Sequence, residues 1–122
     1  MILIGELAHK TGLSVRTIRF YEEKGVIESV ERDANNKRLF DDDETVHWLI
    51  FVRYLRKTGM SITDIQEYRK LIDQGDDTIP ERIRILEKQK TKVLADIQEK
   101  YTEIEQIDHK LNNYRNGVDG FL

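Results

Sequence analysis

The fold is decided by the stretch Ile4-Gly5-Glu6-Leu7-Ala8-His9-Lys10-Thr11-Gly12-Leu13-Ser14-Val15-Arg16-Thr17-Ile18-Arg19-Phe20-Tyr21. Its first apolar residues have the spacing of one helix face. Thr11-Gly12 ends that helix, because glycine accepts the left-handed backbone that closes a helix. Ser14 can then cap a second helix whose inward residue is Ile18. Two short helices joined by a glycine turn predict a helix-turn-helix.

The other faces of the second helix carry side chains that suit DNA. Arg16 and Arg19 can reach phosphates or guanine edges, and Thr17 can bond a phosphate. Tyr21 can do the same through its hydroxyl. Because the second helix of this motif can enter the major groove, the segment predicts a DNA-reading unit. The predicted contacts on this helix are Ser14, Arg16, Thr17, Arg19 and Tyr21.

The composition limits the class of protein. The chain has 122 residues, 35% of them charged, and a mean hydropathy of -0.61, which together exclude a membrane protein. The first residues carry neither the basic lead nor the apolar core of a secretory signal, so we expect a cytoplasmic protein. The absence of cysteine excludes disulfides, thiol chemistry and zinc-cysteine sites.

The net charge of -3 is unusual for a DNA-binding protein, but the charges are unevenly distributed. Between Leu7 and Tyr21 there are three basic residues (Lys10, Arg16 and Arg19) and no acidic ones. Salt screens exposed charges beyond about 10 Å, so the local charge decides the affinity for phosphate.

After Gly25, two short segments (26–32 and 37–40) flank a cluster of Asp and Asn, which predicts a β-hairpin. A hairpin directly after a recognition helix is a wing, and Lys37 and Arg38 would lie near its tip. The alternative is an ordinary solvated turn.

The acidic run 41–44 favours a helix N-terminus capped by Asp41, in which the first-turn acids suit the helix dipole. A metal site or an acid–base pair is the alternative, but no further ligands are suitably spaced. That helix should end near Thr58-Gly59, and Ser61 should cap another one over residues 62–72. Trp48 and Phe51 are predicted core residues.

A long helix is predicted over residues 79–115, about 55 Å at 1.5 Å per residue. Its apolar positions alternate steps of four and three, which indicates a heptad seam with Lys90 and Lys100 at two positions. A seam this long needs a partner helix, most simply that of a second subunit. A parallel dimer would oppose each lysine with itself, so we favour an antiparallel coil. The predicted dimer contacts are Ile83, Leu86, Val93, Ile97, Ile104, Ile107 and Leu111.

Together these elements predict a mainly α protein: a DNA-binding domain (1–74), a linker (75–78), a dimerisation helix (79–115) and a short tail (116–122). The motifs 4–8, 14–22, 36–40 and 55–62 resemble the MerR family of bacterial transcription regulators, over essentially the whole chain. The resemblance implies a winged helix-turn-helix, a second helical pair and an antiparallel coiled-coil homodimer. It also implies binding to a pseudo-palindromic promoter that is bent and untwisted so that RNA polymerase can engage it.

Carried over position by position, Arg16, Thr17, Arg19 and Tyr21 look like the recognition-helix contacts of the family, and Arg38 looks like its wing contact. Phe40 stands where the family usually has tyrosine, so a hydroxyl contact is lost.

The stretch 75–82 resembles the aldehyde- or electrophile-responsive branch, but Tyr54 stands at the position of that branch's cysteine. Thiol sensing is therefore excluded, and so is metal sensing by cysteine. Because only seven residues follow Arg115, we expect no separate effector domain. A small-molecule effector would lie near Tyr54, Tyr68 and Tyr101, although tyrosines at such positions are more often packing residues.

Two other non-enzymatic functions were compatible with the sequence. One is a DNA-architectural or excisionase-like winged-helix protein, which the long seam disfavours. The other is a coiled-coil adaptor whose helix-turn-helix binds protein. We expect no enzyme, metal or cofactor, because the sequence contains no nucleophile–base pair, metal cluster or phosphate-binding loop.

Overall fold

The computed structural model of the protein describes residues 1–120 and divides into two compact units. The first unit is Met1–Ile83, and the second begins at Arg84. The fold class predicted from the sequence is confirmed: helices dominate, with one small sheet. The elements in chain order are β1 (Ile2–Leu3), α1 (Ile4–Thr11), α2 (Val15–Glu23), β2 (Glu31–Arg32), β3 (Arg38–Phe40), α3 (Asp43–Lys57), α4 (Ile62–Gln74), a single 3-10 turn (Asp76–Thr78) and α5 (Ile79–Arg115).

Local sequence signals set the ends of these helices. Gly12 follows α1 with φ of 72°, a left-handed backbone that favours glycine. The Ser14 hydroxyl accepts a hydrogen bond from the Thr17 N–H at 3.0 Å and caps α2. Ser61 caps α4 in the same way, through the Asp64 N–H at 3.1 Å. The predicted helix-turn-helix and both serine caps are therefore present.

The sheet has the strand order β1-β3-β2 and is antiparallel throughout. Strand β1 was not predicted, because two residues cannot show an alternating pattern. It pairs Ile2 with Phe40 and so joins the start of the chain to the wing hairpin. Phe40 is fully buried, which makes it a core residue.

The core of the first unit is formed by apolar side chains from both helical pairs and the sheet. The inward stripe of α3 is Leu49, Val52 and Leu55. Phe51 lies off that stripe and is 37% exposed, so the prediction that it is a core residue is wrong for the single chain. Trp48 is half-buried. Other buried residues are Ile2, Leu7, Ile18, Tyr21, Val26, Ile27, Met60, Ile65 and Tyr68.

The start of α3 differs from the prediction. The helix begins at Asp43, and its cap position is Asp42 rather than Asp41. The Asp42 carboxylate does not cap the helix; it pairs with the Lys10 ammonium at 2.9 Å. This bond raises the pKa of Lys10 and joins α1 to the first turn of α3.

The junction between α4 and α5 belongs to the first unit. The Arg82 guanidinium donates to the Gly75 carbonyl at 2.6 Å and to the Thr78 hydroxyl at 2.9 Å. Thr78 in turn donates to the Leu71 carbonyl near the end of α4. Because of these bonds, the stretch predicted as a linker (75–78) is a structured turn, and the first unit continues beyond it to Ile83.

The second unit consists of the rest of α5 and the residues after it, as far as residue 120. Helix α5 has the predicted bounds, and Gly117 follows it with φ of 73°. Its heptad residues lie largely in solvent: Ile97, Ile104, Ile107 and Leu111 are 40–62% exposed. The predicted tail (116–122) is described only to residue 120; its last two residues lie outside the described part.

Candidate nucleic-acid interface

Helix α2 presents a polar face and buries an apolar one. Ile18 is fully buried and Tyr21 is 5% exposed. Arg16 and Arg19 lie on the exposed side. The prediction that Tyr21 lies on an exposed face is therefore wrong, because Tyr21 is three residues after Ile18 and shares its face. Tyr21 is mainly a core residue.

The C-terminal end of α2 is held by the second helical pair. Gly25 has φ of 74°, and the Val26 N–H returns to the Tyr21 carbonyl at 2.9 Å, the pattern of a Schellman cap. The Trp48 indole on α3 donates to the Val26 carbonyl at 2.8 Å. Gln66 on α4 donates to the Lys24 carbonyl, also at 2.8 Å. The position of α2 therefore depends on both α3 and α4.

The wing hairpin is organised by Asp33. Its carboxylate accepts hydrogen bonds from the N–H groups of Asn35 and Lys37, each at 2.9 Å. Asn36 adopts φ of 63°, a left-handed backbone that asparagine tolerates in turns. Lys37 follows this turn and is exposed.

Two arginines lie opposite each other in the wing. Arg32 on β2 pairs with Arg38 on β3, and like charges directly opposite on a hairpin are destabilising. The Arg38 Nε contacts a Glu22 carboxylate oxygen at 2.9 Å, and the Arg32 guanidinium donates to the Asn36 carbonyl at 2.8 Å. Each arginine thus has one partner, and the guanidinium of Arg38 is still nearly half exposed. Two neighbouring guanidinium groups favour the binding of an anion.

A basic groove of about 820 Å³ lies between the wing and the N-terminal segment 1–6, and Arg19 of α2 also lines it. Four of its lining residues are basic, against a single carboxylate, that of Glu6. The first turn of α1 also lines the groove, and no side chain caps that helix. The N–H groups at a helix N-terminus can bind a phosphate. The basic lining residues are Arg19, Arg32, Lys37 and Arg38.

The groove therefore brings together three of the seven predicted contacts. Arg19, Lys37 and Arg38 line the groove. Arg16 and Ser14 are exposed on the same helix-turn-helix, and Thr17 is half-buried, its hydroxyl accepting a bond from that of Ser14. Arg32 also lines the groove and was not predicted, although its position opposite Arg38 in the hairpin is a signal that could have revealed it.

These features match two family models. The MerR HTH family regulatory protein model covers residues 3–71. A second model, described as MerR, DNA binding, covers residues 46–114. The chain belongs to the MerR family. It is a DNA-binding transcription regulator, and the resemblance seen in the sequence is confirmed.

Known members of the MerR family are similar over most of this chain. An uncharacterised HTH-type transcriptional regulator of Haemophilus influenzae is 36% identical, over 88% of this chain and 79% of that protein. The regulator AdhR of Bacillus subtilis is 32% identical, over 75% of this chain and 64% of AdhR. The crystal structure of HiNmlR, a MerR family regulator lacking the sensor domain and bound to promoter DNA, gives a TM-score of 0.79 at 34% identity. That match covers 93% of this chain and 90% of HiNmlR.

The three tyrosines predicted near an effector differ in their surroundings. Tyr68 is buried, and its ring stacks on Trp48 at 6.0 Å and tilts against Phe51 at 6.1 Å. Burial raises the pKa of Tyr68, and the charge of Arg82 partly opposes this shift. Tyr68 is therefore a packing residue. Tyr54 and Tyr101 are each 59% exposed, and an effector near them stays a prediction.

Residues 1–120 contain no cluster of three or more potential metal ligands. Within the same residues, no helix has both the length and the apolar character needed to cross a bilayer.

Proposed function

We propose that this MerR family member binds a pseudo-palindromic promoter as a homodimer and controls transcription by distorting the DNA. The observation that carries the proposal is the basic groove, which Arg19 of α2 lines together with Arg32, Lys37 and Arg38 of the wing. Its arginines suit two neighbouring features of a duplex, base edges in the major groove and the adjacent phosphates. The similarity to HiNmlR, a promoter-bound regulator without a sensor domain, supports the same use of this surface. The site of action would be the bacterial cytoplasm.

The homodimer is supported by the exposed apolar face of α5. Residues such as Ile97 and Ile104 are about half exposed, although they recur at heptad spacing along 37 residues of helix. A second copy of the same helix would cover them, and this symmetry would match an inverted repeat. Two recognition helices would then enter major-groove faces one or more helical turns apart, about 34 Å per turn.

Distortion of the promoter would come from a fixed geometry of the two DNA-reading surfaces. The hydrogen bonds from Trp48 and Gln66 hold the end of α2, and the Glu22–Arg38 pair ties the wing to that helix. A rigid protein surface makes all its contacts only if the DNA bends to meet it, and the contacts then offset the deformation energy. RNA polymerase would be affected indirectly, through the altered shape of the promoter.

The direct test measures binding of the full chain to an inverted repeat in the region upstream of its own gene. We expect specific binding with a steep salt dependence. Arg16→Ala and Arg19→Ala should each weaken this binding and relax the specificity at the base pair that the arginine reads. Arg115→Ala, at the last residue of α5, is the control with the same change of charge. Unchanged binding in both recognition-helix variants would contradict the assignment. A bent-DNA mobility assay on the same site tests the distortion.

The orientation of the coil has its own test. Spin labels at Ile83 and at Leu111 report the distance between equivalent positions of the two subunits. An antiparallel coil places the 83-to-83 and 111-to-111 pairs far apart and the 83-to-111 pair close together. A short 83-to-83 distance would instead show a parallel coil.

A further inference from the structure

One large apolar side chain on the recognition helix has no place in the core. Phe20 is 40% exposed, whereas its neighbour Tyr21 is buried. The sequence places these two aromatic residues side by side, and the structure shows which of them faces solvent. An exposed phenyl ring among polar residues on a DNA-reading surface needs a separate explanation.

The helical geometry places Phe20 beside the arginine that points most directly outward. At about 100° per residue, Arg16 lies opposite the buried direction defined by Ile18 and Tyr21. Phe20 is four residues after Arg16 and is rotated from it by only about 40°, while Arg19 is rotated by about 60° in the other direction. Phe20 and Arg19 therefore flank Arg16, and Arg19 is the one that lines the basic groove.

The Phe20 ring also has fixed neighbours. Its centroid lies 6.0 Å from that of Tyr21, which the core holds in place. The Lys24 ammonium, one turn further along, lies 5.7 Å from the ring centroid. The carbonyl of Lys24 is held by Gln66 on α4. The ring is thus positioned at a supported end of the helix, next to a cation that can neutralise a phosphate.

The chemistry of a DNA major groove offers one apolar group to such a ring. Thymine carries a C5 methyl group there, and phenylalanine is among the side chains that contact it. We propose that Phe20 contacts a thymine methyl group next to the base pair read by Arg16 and so contributes sequence specificity. This inference rests on the proposed function, because it needs α2 to lie in the major groove.

The experiment first selects binding sites for the full chain from a library of random duplexes. Each thymine of one half-site is then replaced in turn by deoxyuridine, which lacks only the methyl group. Loss of one buried methyl is worth about 0.8 kcal/mol, so wild-type affinity should fall roughly fourfold at one position. In Phe20→Ala the thymine and deoxyuridine duplexes should bind equally at that position. Phe20→Leu, which keeps an apolar contact, should retain part of the difference.

A matched variant separates this contact from a general loss of binding. Arg16→Ala should weaken binding to both duplexes and preserve their ratio at the methyl-sensitive position. Thermal unfolding of Phe20→Ala, followed by circular dichroism, should show a folded protein with a small loss of stability, because the ring lies outside the core. The inference is overturned if deoxyuridine has no effect at any position, or if Phe20→Ala keeps the wild-type ratio. Failure to select any inverted repeat would contradict the proposed function itself.

Discussion

The Nε of Arg38 on the wing lies 2.9 Å from a carboxylate oxygen of Glu22 on the recognition helix. The Glu22 side chain is 19% exposed and that of Arg38 45% exposed, so the pair is partly shielded while the guanidinium stays accessible. The pair fixes the wing relative to α2 without removing its positive charge from the basic groove. One residue can therefore both hold the wing and face the DNA.

Replacing Arg38 with alanine tests the second of these roles. If Arg38 contacts a phosphate, Arg38→Ala should weaken binding equally for specific and random duplexes. A plot of log K against log salt has a negative slope, and its magnitude should decrease by about one because one phosphate contact is lost. Fluorescence anisotropy titrations between about 50 and 200 mM salt give this slope. An unchanged slope would show that Arg38 only holds the wing through Glu22.

The two serine caps provide a matched pair of variants. Ser14→Ala and Ser61→Ala each remove one side-chain bond to a backbone N–H, at 3.0 and 3.1 Å. Each should lower the free energy of unfolding by about 1 kcal/mol, as measured by urea denaturation. Only Ser14 lies at the start of the recognition helix. DNA affinity should therefore fall further in Ser14→Ala than in Ser61→Ala, and equal losses would contradict a contact at Ser14.

The buried phenol of Tyr68 predicts a dependence of stability on alkaline pH. Burial raises its pKa in the folded state above the unfolded value of about 10. Its contribution to stability is therefore full below about pH 10 and is lost as the pH rises through the folded-state pKa. Phenylalanine cannot ionise, so Tyr68→Phe should lose less stability than wild type between pH 9 and 11, a range set around the unfolded-state pKa of about 10. Urea denaturation of both proteins across this range gives the difference, and parallel losses would refute the prediction.

The heptad face of α5 predicts an effect on assembly. Ile97→Glu places a charge on the heptad seam, while Gln98→Glu adds the same charge one position away from it. Ile97 is 45% exposed in the single chain, so the change should leave the monomer folded. Sedimentation analysis should show dissociation of Ile97→Glu at concentrations where Gln98→Glu remains dimeric. If both variants sediment alike, the coil contacts lie elsewhere.

Periodicity and capping residues were sufficient to predict the helices of this chain. Ser14 and Ser61 begin α2 and α4 because a serine hydroxyl can accept from the first-turn N–H groups. The bounds of α5 followed from an apolar pattern that continues to Arg115. These signals are local, and a single sequence contains them in full.

The wrong or missing predictions concern the direction in which side chains point and the contacts between segments that are distant in sequence. Tyr21 was assigned to DNA because it has a hydroxyl, although its spacing of three from Ile18 places it in the core. Phe51 was assigned to the core because it is aromatic, although Leu49 and Val52 define the inward stripe of α3. The pairing of Lys10 with Asp42 spans 32 residues, and no local pattern predicts it.

The placement of Arg32 opposite Arg38 has a consequence for the protein without DNA. Mutual repulsion makes the hairpin less stable than an otherwise identical one with opposite charges. A polyanion that neutralises both guanidinium groups relieves this repulsion, so part of the free energy of binding is a gain in the folding of the wing itself. By linkage, non-specific DNA should raise the melting temperature of the protein. The wing is thus a segment that its ligand helps to fold.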